Sequence, residues 1–146
     1  MIMDRTAIQA LIPQKDAMCL LDSVEYWDGR RIICMSTQHR SAANPLRTRA
    51  GLSSLHGIEF AAQAMAAHGG LTAAGQEPPH VGLLLSVRDC VFHCRRLDDM
   101  AEPLTIEAEQ MGNNGEARLY RYKVSARDVL LVEGRAAVML GEGAQA

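Results

Sequence analysis

The sequence predicts an α+β domain, an antiparallel sheet with one long helix against one face. Three observations lead there. Strand-like segments are segregated, two before the helical segment and four after it, instead of alternating with helices as a parallel sheet requires. Two hairpin signals, Asp28-Gly29 and Asn113-Asn114-Gly115, join consecutive strand segments. One long segment, Ser54 to about Leu71, repeats its apolar residues at helical spacing.

Taken in order, Asp4 can cap a short helix over Arg5 to Ile12, with Ile8, Leu11 and Ile12 on its apolar side and Pro13 as its stop. Residues 17–26 read as a strand. Asp28-Gly29 then supplies the tight turn, both residues suiting positive φ, and 31–38 read as the return strand. Residues 39–52 form a loop punctuated by Asn44-Pro45 and Gly51. Ser53 or Ser54 caps the long helix. Leu55, Ile58, Ala62, Met65 and Gly69 share the face expected to meet the core. A turn at Gly75-Gln-Glu-Pro-Pro precedes strands at 81–95, 103–111, 117–125 and 129–140. Within 104–109, Leu104, Ile106 and Ala108 alternate with polar residues, as on a half-buried strand. The tail from Gly141 to Ala146 is expected to fray.

With 146 residues, the chain reads as one domain over 1–146 with a core that needs neither disulfide nor metal. A net charge of −2 and 4% aromatic residues give nucleic acid neither an electrostatic footprint nor stacking platforms. The N-terminus lacks the basic-then-apolar pattern of a secretory signal, and no apolar run spans a bilayer. Four cysteines are too few for a disulfide scaffold, so a cytoplasmic, reducing compartment is expected. Cys90-Val91-Phe92-His93-Cys94 invites a metal reading. Strand alternation, however, puts Cys90, Phe92 and Cys94 on one side and His93 on the other, so the ligands do not converge and no metal is expected. No glycine-rich phosphate loop follows a strand, and no cofactor is expected.

The candidate chemistry sits on the long helix. Between Ala50 and Gln76 the only formally charged residue is Glu59, amid Ala61, Ala62, Ala64, Ala66, Ala67, Gly69 and Gly70. A helix with no charged face is an enclosed helix, so the sheet is expected to curl around it. Burial makes a carboxyl a better proton donor near neutral pH. His56, Glu59 and Gln63 project from one side, and Gln63 stands one turn from Glu59, placed to orient it. The plainer alternative is equally open: an acidic residue in a first helical turn, favoured by the helix dipole and paired with Arg47 or Arg49. His56 alone reads more simply as a first-turn histidine, and His68, on another side, is assigned no chemistry.

Three segments resemble the 3-hydroxyacyl-acyl-carrier-protein dehydratases of the hot-dog superfamily. Ile12 to Val24 (IPQKDAMCLLDSV) is similar to that family's Leu-Pro-His-Arg-x-Pro-x-x-x-Val-Asp-Arg-Val entry segment. Glu59-Phe60-Ala61-Ala62-Gln63-Ala64 is similar to its Glu-Ala-x-Ala-Gln-Ala helix. The four-strand remainder ends in Val-Glu-Gly-Arg-Ala, Val132 to Ala136. An Asn-Pro-Leu-Arg stretch and a Gly-Ile-Glu-Phe-Ala-Ala-Gln-Ala-Met helix resemble the accessory dehydratase-like proteins of aryl polyene lipid clusters. The resemblance implies a hot-dog fold, a long central helix wrapped by a curved antiparallel sheet, in a homodimer or a heterodimer with a second hot-dog subunit. It also implies loss of water from a 3-hydroxyacyl thioester carried on acyl carrier protein or CoA. Glu59 matches the acid. Backbone N–H groups near Ser54 and Leu55 match the donors to the thioester carbonyl. Asn44, Ser54, Leu55, His56 and Gln63 are the substrate-contact candidates.

The family's histidine base is missing. Its Gly-His-Phe-Pro segment corresponds to Ala43-Asn44-Pro45-Leu46, its helix-opening Pro-Gly to Ser53-Ser54, and its entry-segment histidine to Gln14. Asparagine is no general base near neutral pH. Three readings compete: a histidine-bearing partner completes the site, His56 or His39 substitutes, or Asn44 and Glu59 activate water in an acyl thioesterase. A non-catalytic subunit that shapes its partner is a further alternative. An acidic carrier would dock on basic residues, for which Lys15, Arg47, Arg49, Arg95 and Arg96 are candidates. An acyl tunnel would run between the helix stripe and residues 81–87.

Overall fold

The computed structural model describes residues 1–73, 81–114 and 117–141. In chain order its elements are β1 Met3–Asp4, α1 Arg5–Gln9, β2 Ser23–Trp27, β3 Arg31–Ser36, α2 Gly57–Thr72, β4 Val81–Phe92, β5 Leu104–Asn114, β6 Ala117–Ala126 and β7 Val129–Gly141. Single 3-10 turns lie at Asp16–Met18, Gln38–Arg40 and Ser54–His56. The seven strands form one antiparallel sheet in the order β1-β2-β3-β5-β6-β7-β4. Between β3 and β4 the chain passes beneath the sheet as α2 and re-enters at the far edge. The helix thereby touches β3, β4, β5, β6 and β7.

Small side chains make that passage possible. Phe60, Ala61, Ala64, Met65 and Ala67 are buried against the inward-facing Ile106, Ala108, Tyr120, Tyr122 and Val124. At Gly57 a Cβ would come within 2.9 Å of Val132 Cγ2, and at Gly70 within 3.1 Å of Leu11 Cδ2. Backbone contact at both ends therefore brings β7 and the segment after α1 close to the helix. The expected core stripe is corrected here. Met65 and Gly69 are buried, but Leu55 is 57% exposed, and Ile58 and Ala62 are only half-buried. The N-terminal half of that stripe faces outward because the sheet covers the flank of Phe60, Ala61 and Ala64 instead.

Two buried polar residues fix the helix azimuth. The Gln63 amide accepts from Leu20 N (2.8 Å) and donates to Met18 O (2.7 Å), which holds the segment before β2 against α2. His68 Nδ1 lies 2.7 Å from the Tyr120 hydroxyl, and its Nε2 lies 2.8 Å from Asp28 O at the β2–β3 turn. A neutral imidazole satisfies both, accepting at Nδ1 and donating at Nε2.

Local chemistry alters several predicted boundaries. Asp4 caps α1 by accepting from Ala7 N (3.0 Å), as expected, but the helix closes at Gln9. Lys15 reaches back to the Gln9 and Ile12 carbonyls, so it finishes the helical segment and is not a free docking cation. Residues 17–22 are not strand. Asp16, at φ 52°, turns the chain there and β2 begins only at Ser23. The Asp28-Gly29 turn does not use positive φ at either residue. Asp28 Oδ1 instead accepts from Arg30 N (2.8 Å) and Arg31 N (2.9 Å), closing the turn through its side chain. β4 stops at Phe92 and is bulged between Arg88 and Val91, so regular alternation does not reach Cys94. Cys90 meets Tyr122 Oη at 3.1 Å, while His93 lies beyond the strand and pairs with Glu133 at 2.8 Å. Among the described residues no cluster of His, Cys, Asp and Glu is arranged to hold a metal. The Gly75–Pro79 turn, the glycine of Asn113-Asn114-Gly115 and the tail past Gly141 lie outside the described residues.

Burial pushes the His68 and His39 imidazoles below their ordinary value of 6.5. The unfolded chain then binds more protons than the folded one as pH falls through that value, so stability is present above it and is lost below. Urea midpoints are expected to fall between about pH 8 and pH 5.5, a window above the carboxylate range, and His68→Phe is expected to flatten the slope. A pH-independent midpoint would contradict the neutral, buried network. At Gly57 the β-branched Val132 must move to admit a methyl, so Gly57→Ala is expected to cost about 1–3 kcal/mol in the same unfolding measurement.

Candidate active site

Glu59 sits in the first turn of α2, half-buried, on the flank that also carries Leu55, His56, Ile58 and Ala62. Neither predicted companion reaches it. Gln63 is turned the other way and spent on Leu20 and Met18, so it does not orient the carboxylate. The alternative ion pair is not formed either. Arg47 Nη2 lies 3.5 Å from Asp98 instead, and Arg49 is exposed without an acidic partner among the described residues. The Glu59 carboxylate thus has no hydrogen-bond or ion-pair partner among the described residues. His56 stands one turn before it, half-buried.

The expected carbonyl donors are also corrected. Ser54 N donates to Arg95 O (2.9 Å) and Leu55 N to Ser53 Oγ (3.2 Å). Ser53 caps the 3-10 turn and not α2 itself, whose N-cap His56 makes no side-chain bond, and both N–H groups are occupied, that of Ser54 by Arg95 O and that of Leu55 by Ser53 Oγ. Asn44 is buried and holds its own loop: Nδ2 donates to Gln38 O and Oδ1 accepts from Leu46 N, both at 2.9 Å. His39 is buried with Nε2 on Met100 O (2.9 Å), while its Nδ1 has no partner.

What holds this loop in place is a residue that sequence reasoning passed over. Asp98 accepts from Leu52 N (3.0 Å), from Arg96 Nε (3.1 Å) and Nη2 (2.6 Å), and faces Arg47. The Arg96 guanidinium holds the Asp98 carboxyl well below the usual carboxylate range. Gly51, at φ 98°, fits beneath the cluster, where a Cβ would lie 2.5 Å from Asp98 Oδ2. Asp98 therefore binds the strand-exit segment to the loop that enters α2 two residues before Ser54. Its sequence signal is the charged run Arg95-Arg96-Leu97-Asp98-Asp99, two of whose members are also the candidate docking cations Arg95 and Arg96.

Comparison with known proteins agrees with this architecture. The dehydratase heterocomplex ApeI:P from Xenorhabdus doucetiae superposes with a TM-score of 0.83 at 20% identity, covering 94% of this chain and 92% of that one. AziG of S. sahachiroi follows at 0.63 and 12% identity, covering 84% and 91%. A thioesterase mutant from Staphylococcus aureus matches at 0.59 and 13% identity, covering 81% and 91%. These likenesses show the hot-dog fold, a central helix wrapped by an antiparallel sheet. Residues 6–146 match the ApeP-like family, described as ApeP dehydratase, and the chain belongs to that family. It is a dehydratase-like hot-dog protein. No curated protein sequence matches it.

Removal of the loop clamp should be visible in stability. Asp98→Ala is expected to cost about 1–3 kcal/mol in urea unfolding, because it strands the Leu52 N–H and two guanidiniums. Asp98→Asn should retain the Leu52 bond and cost less.

Proposed function

We propose that this chain is the acid-bearing half of a two-subunit 3-hydroxyacyl thioester dehydratase, working in the cytoplasm on acyl carrier protein-linked or CoA-linked substrates. In that reaction a base takes the C2 proton, the C3–oxygen bond breaks, the C2–C3 double bond forms, and Glu59 gives its proton to the departing hydroxyl, which leaves as water. We take the base to be a histidine of a second hot-dog subunit: Asn44 is no base, His39 is buried on Met100 O, and His56, one helical turn before Glu59, is the local alternative that the assay of the chain alone tests.

The observation that carries this reading is Glu59 itself: a half-buried carboxyl group with no partner among the described residues, on a flank that the sheet leaves uncovered. Leu55 (57% exposed) stands beside it, and the unpaired edge strand β4 presents Leu84 (37%), Val91 (44%) and Phe92 (39%). An acid on the flank of the exposed Leu55, in a fold whose edge strand β4 also exposes apolar residues, suits a site completed by another chain. A heterocomplex of this fold exists in the relative from Xenorhabdus doucetiae. The thioesterase alternative loses its water-positioning amide, because Asn44 is committed to its loop.

Purified alone, the chain is expected to convert 3-hydroxyacyl carrier substrate negligibly. Joined to a histidine-bearing hot-dog homologue it should form enoyl product, and Glu59→Gln should lower that rate by about 10²–10⁴-fold without impairing co-purification. Full activity of the variant complex would make the chain a non-catalytic subunit. Thiol release by the chain alone would instead favour the thioesterase.

A further inference from the structure

Strand pairing sets three arginines side by side on the sheet face turned away from α2. Arg121 of β6 is directly opposite Arg135 of β7, which is directly opposite Arg88 of β4. Tyr120 and Tyr122, flanking Arg121, are buried on the helix side, while all three arginines are exposed. Adjacent strands are about 4.8 Å apart, so the three backbone positions span about 10 Å. Like charges directly opposite each other destabilise a sheet. The neighbouring rank obeys that rule, alternating Glu107, Lys123 and Glu133 across β5, β6 and β7. The arginine rank breaks it.

Little among the described residues offsets the repulsion. Arg135 Nε is 3.8 Å from Asp89 Oδ2, with the two side chains 72% and 74% exposed, a weak pair in water. Among the described residues Arg121 Nη2 meets only the Met111 sulfur, at 3.4 Å. Glu109, opposite Arg121 on β5, is turned towards Arg30 at 3.5 Å. Arg88 has no acidic partner among the described residues. The rank borders a cleft of about 410 Å³ that Met111, Leu119 and Ala137 also line. Met111 and Leu119 are 45% and 42% exposed there, apolar surface beside concentrated positive charge.

We propose that this cleft is a binding site for a phosphorylated organic anion. Its phosphate lies on Arg88, Arg121 and Arg135, and its apolar or aromatic body covers Met111, Leu119 and Ala137. Guanidinium forks match phosphate oxygens in pairs, and a cleft of this size suits a small organic molecule. The apolar lining gives a ligand with a body an advantage over a bare ion. The proposal stands apart from the reading of Glu59, which occupies the other side of the sheet.

Calorimetric titration of the full chain tests it with three probes: ADP for an aromatic body, octyl phosphate for an aliphatic one, and pyrophosphate for the head alone. ADP or octyl phosphate is expected to bind at least tenfold more tightly than pyrophosphate, and which one does so identifies the body. Arg121→Gln and Arg135→Gln should each weaken that binding at least tenfold, whereas Arg127→Gln, on the β6–β7 turn, should not. Folding supplies an independent control. Breaking the rank relieves repulsion, so Tm of Arg121→Gln should stay level or rise by about 1–3 °C. The proposal is overturned if neither organic probe saturates at millimolar concentration, if pyrophosphate binds as tightly as both, if binding survives the Arg121 and Arg135 substitutions, or if Tm falls.

Discussion

Enclosure of an almost uncharged helix is the constraint on which this structure depends. α2 runs beneath five strands of a single curved sheet, and only small or apolar side chains allow so many neighbours to approach one helix. Alanine and glycine therefore have a steric purpose along its length, clearest at Gly57 against Val132 and Gly70 against Leu11. The two polar residues that α2 buries, Gln63 and His68, are each satisfied by two partners, as burial demands. Those four bonds resist rotation of the helix about its axis, and by fixing that rotation they decide which flank stays uncovered.

Glu59 is on the uncovered flank. The same rotation that buries Phe60 and Ala61 turns Glu59, Leu55 and Ile58 outward. A carboxylate left in that setting contributes nothing visible to the chain's own stability, since it pairs with neither arginine of the preceding loop. That loop is instead organised around Asp98, which draws Arg47 and Arg96 to itself and so leaves the acid electrostatically unencumbered. Structure and chemistry are thus divided between two carboxylates. One is clamped and holds the helix entrance, and the other has no partner among the described residues and shares its flank with the exposed Leu55.

Much of this was legible beforehand. The absence of charge around Glu59 announced the enclosed helix, and segregated strands with two turn signals announced the antiparallel sheet. Side-chain direction was harder to read. The i, i+4 spacing of Glu59 and Gln63 allowed a hydrogen bond, but Leu20 and Met18, remote in sequence, offered the amide a complete pair of partners. The resemblance implies carbonyl donors near Ser54 and Leu55, but Arg95 O and Ser53 Oγ occupy those N–H groups. Asp28-Gly29 signalled the right hairpin through the wrong geometry, because a side-chain turn needs no positive φ. Gly51 and Asp98 belong to segments far apart in the chain, and only the folded loop reveals that one makes room for the other.

The central claim is that a second subunit closes over Glu59 and delivers a substrate hydroxyl to it. A crystal structure of this chain with a histidine-bearing hot-dog partner and a non-hydrolysable 3-hydroxyacyl pantetheine addresses it most directly. The account predicts the Glu59 carboxylate about 2.6–3.2 Å from the ligand's 3-hydroxyl, beneath surface supplied by the partner. A complex in which Glu59 stays open to water while the ligand binds elsewhere would contradict it.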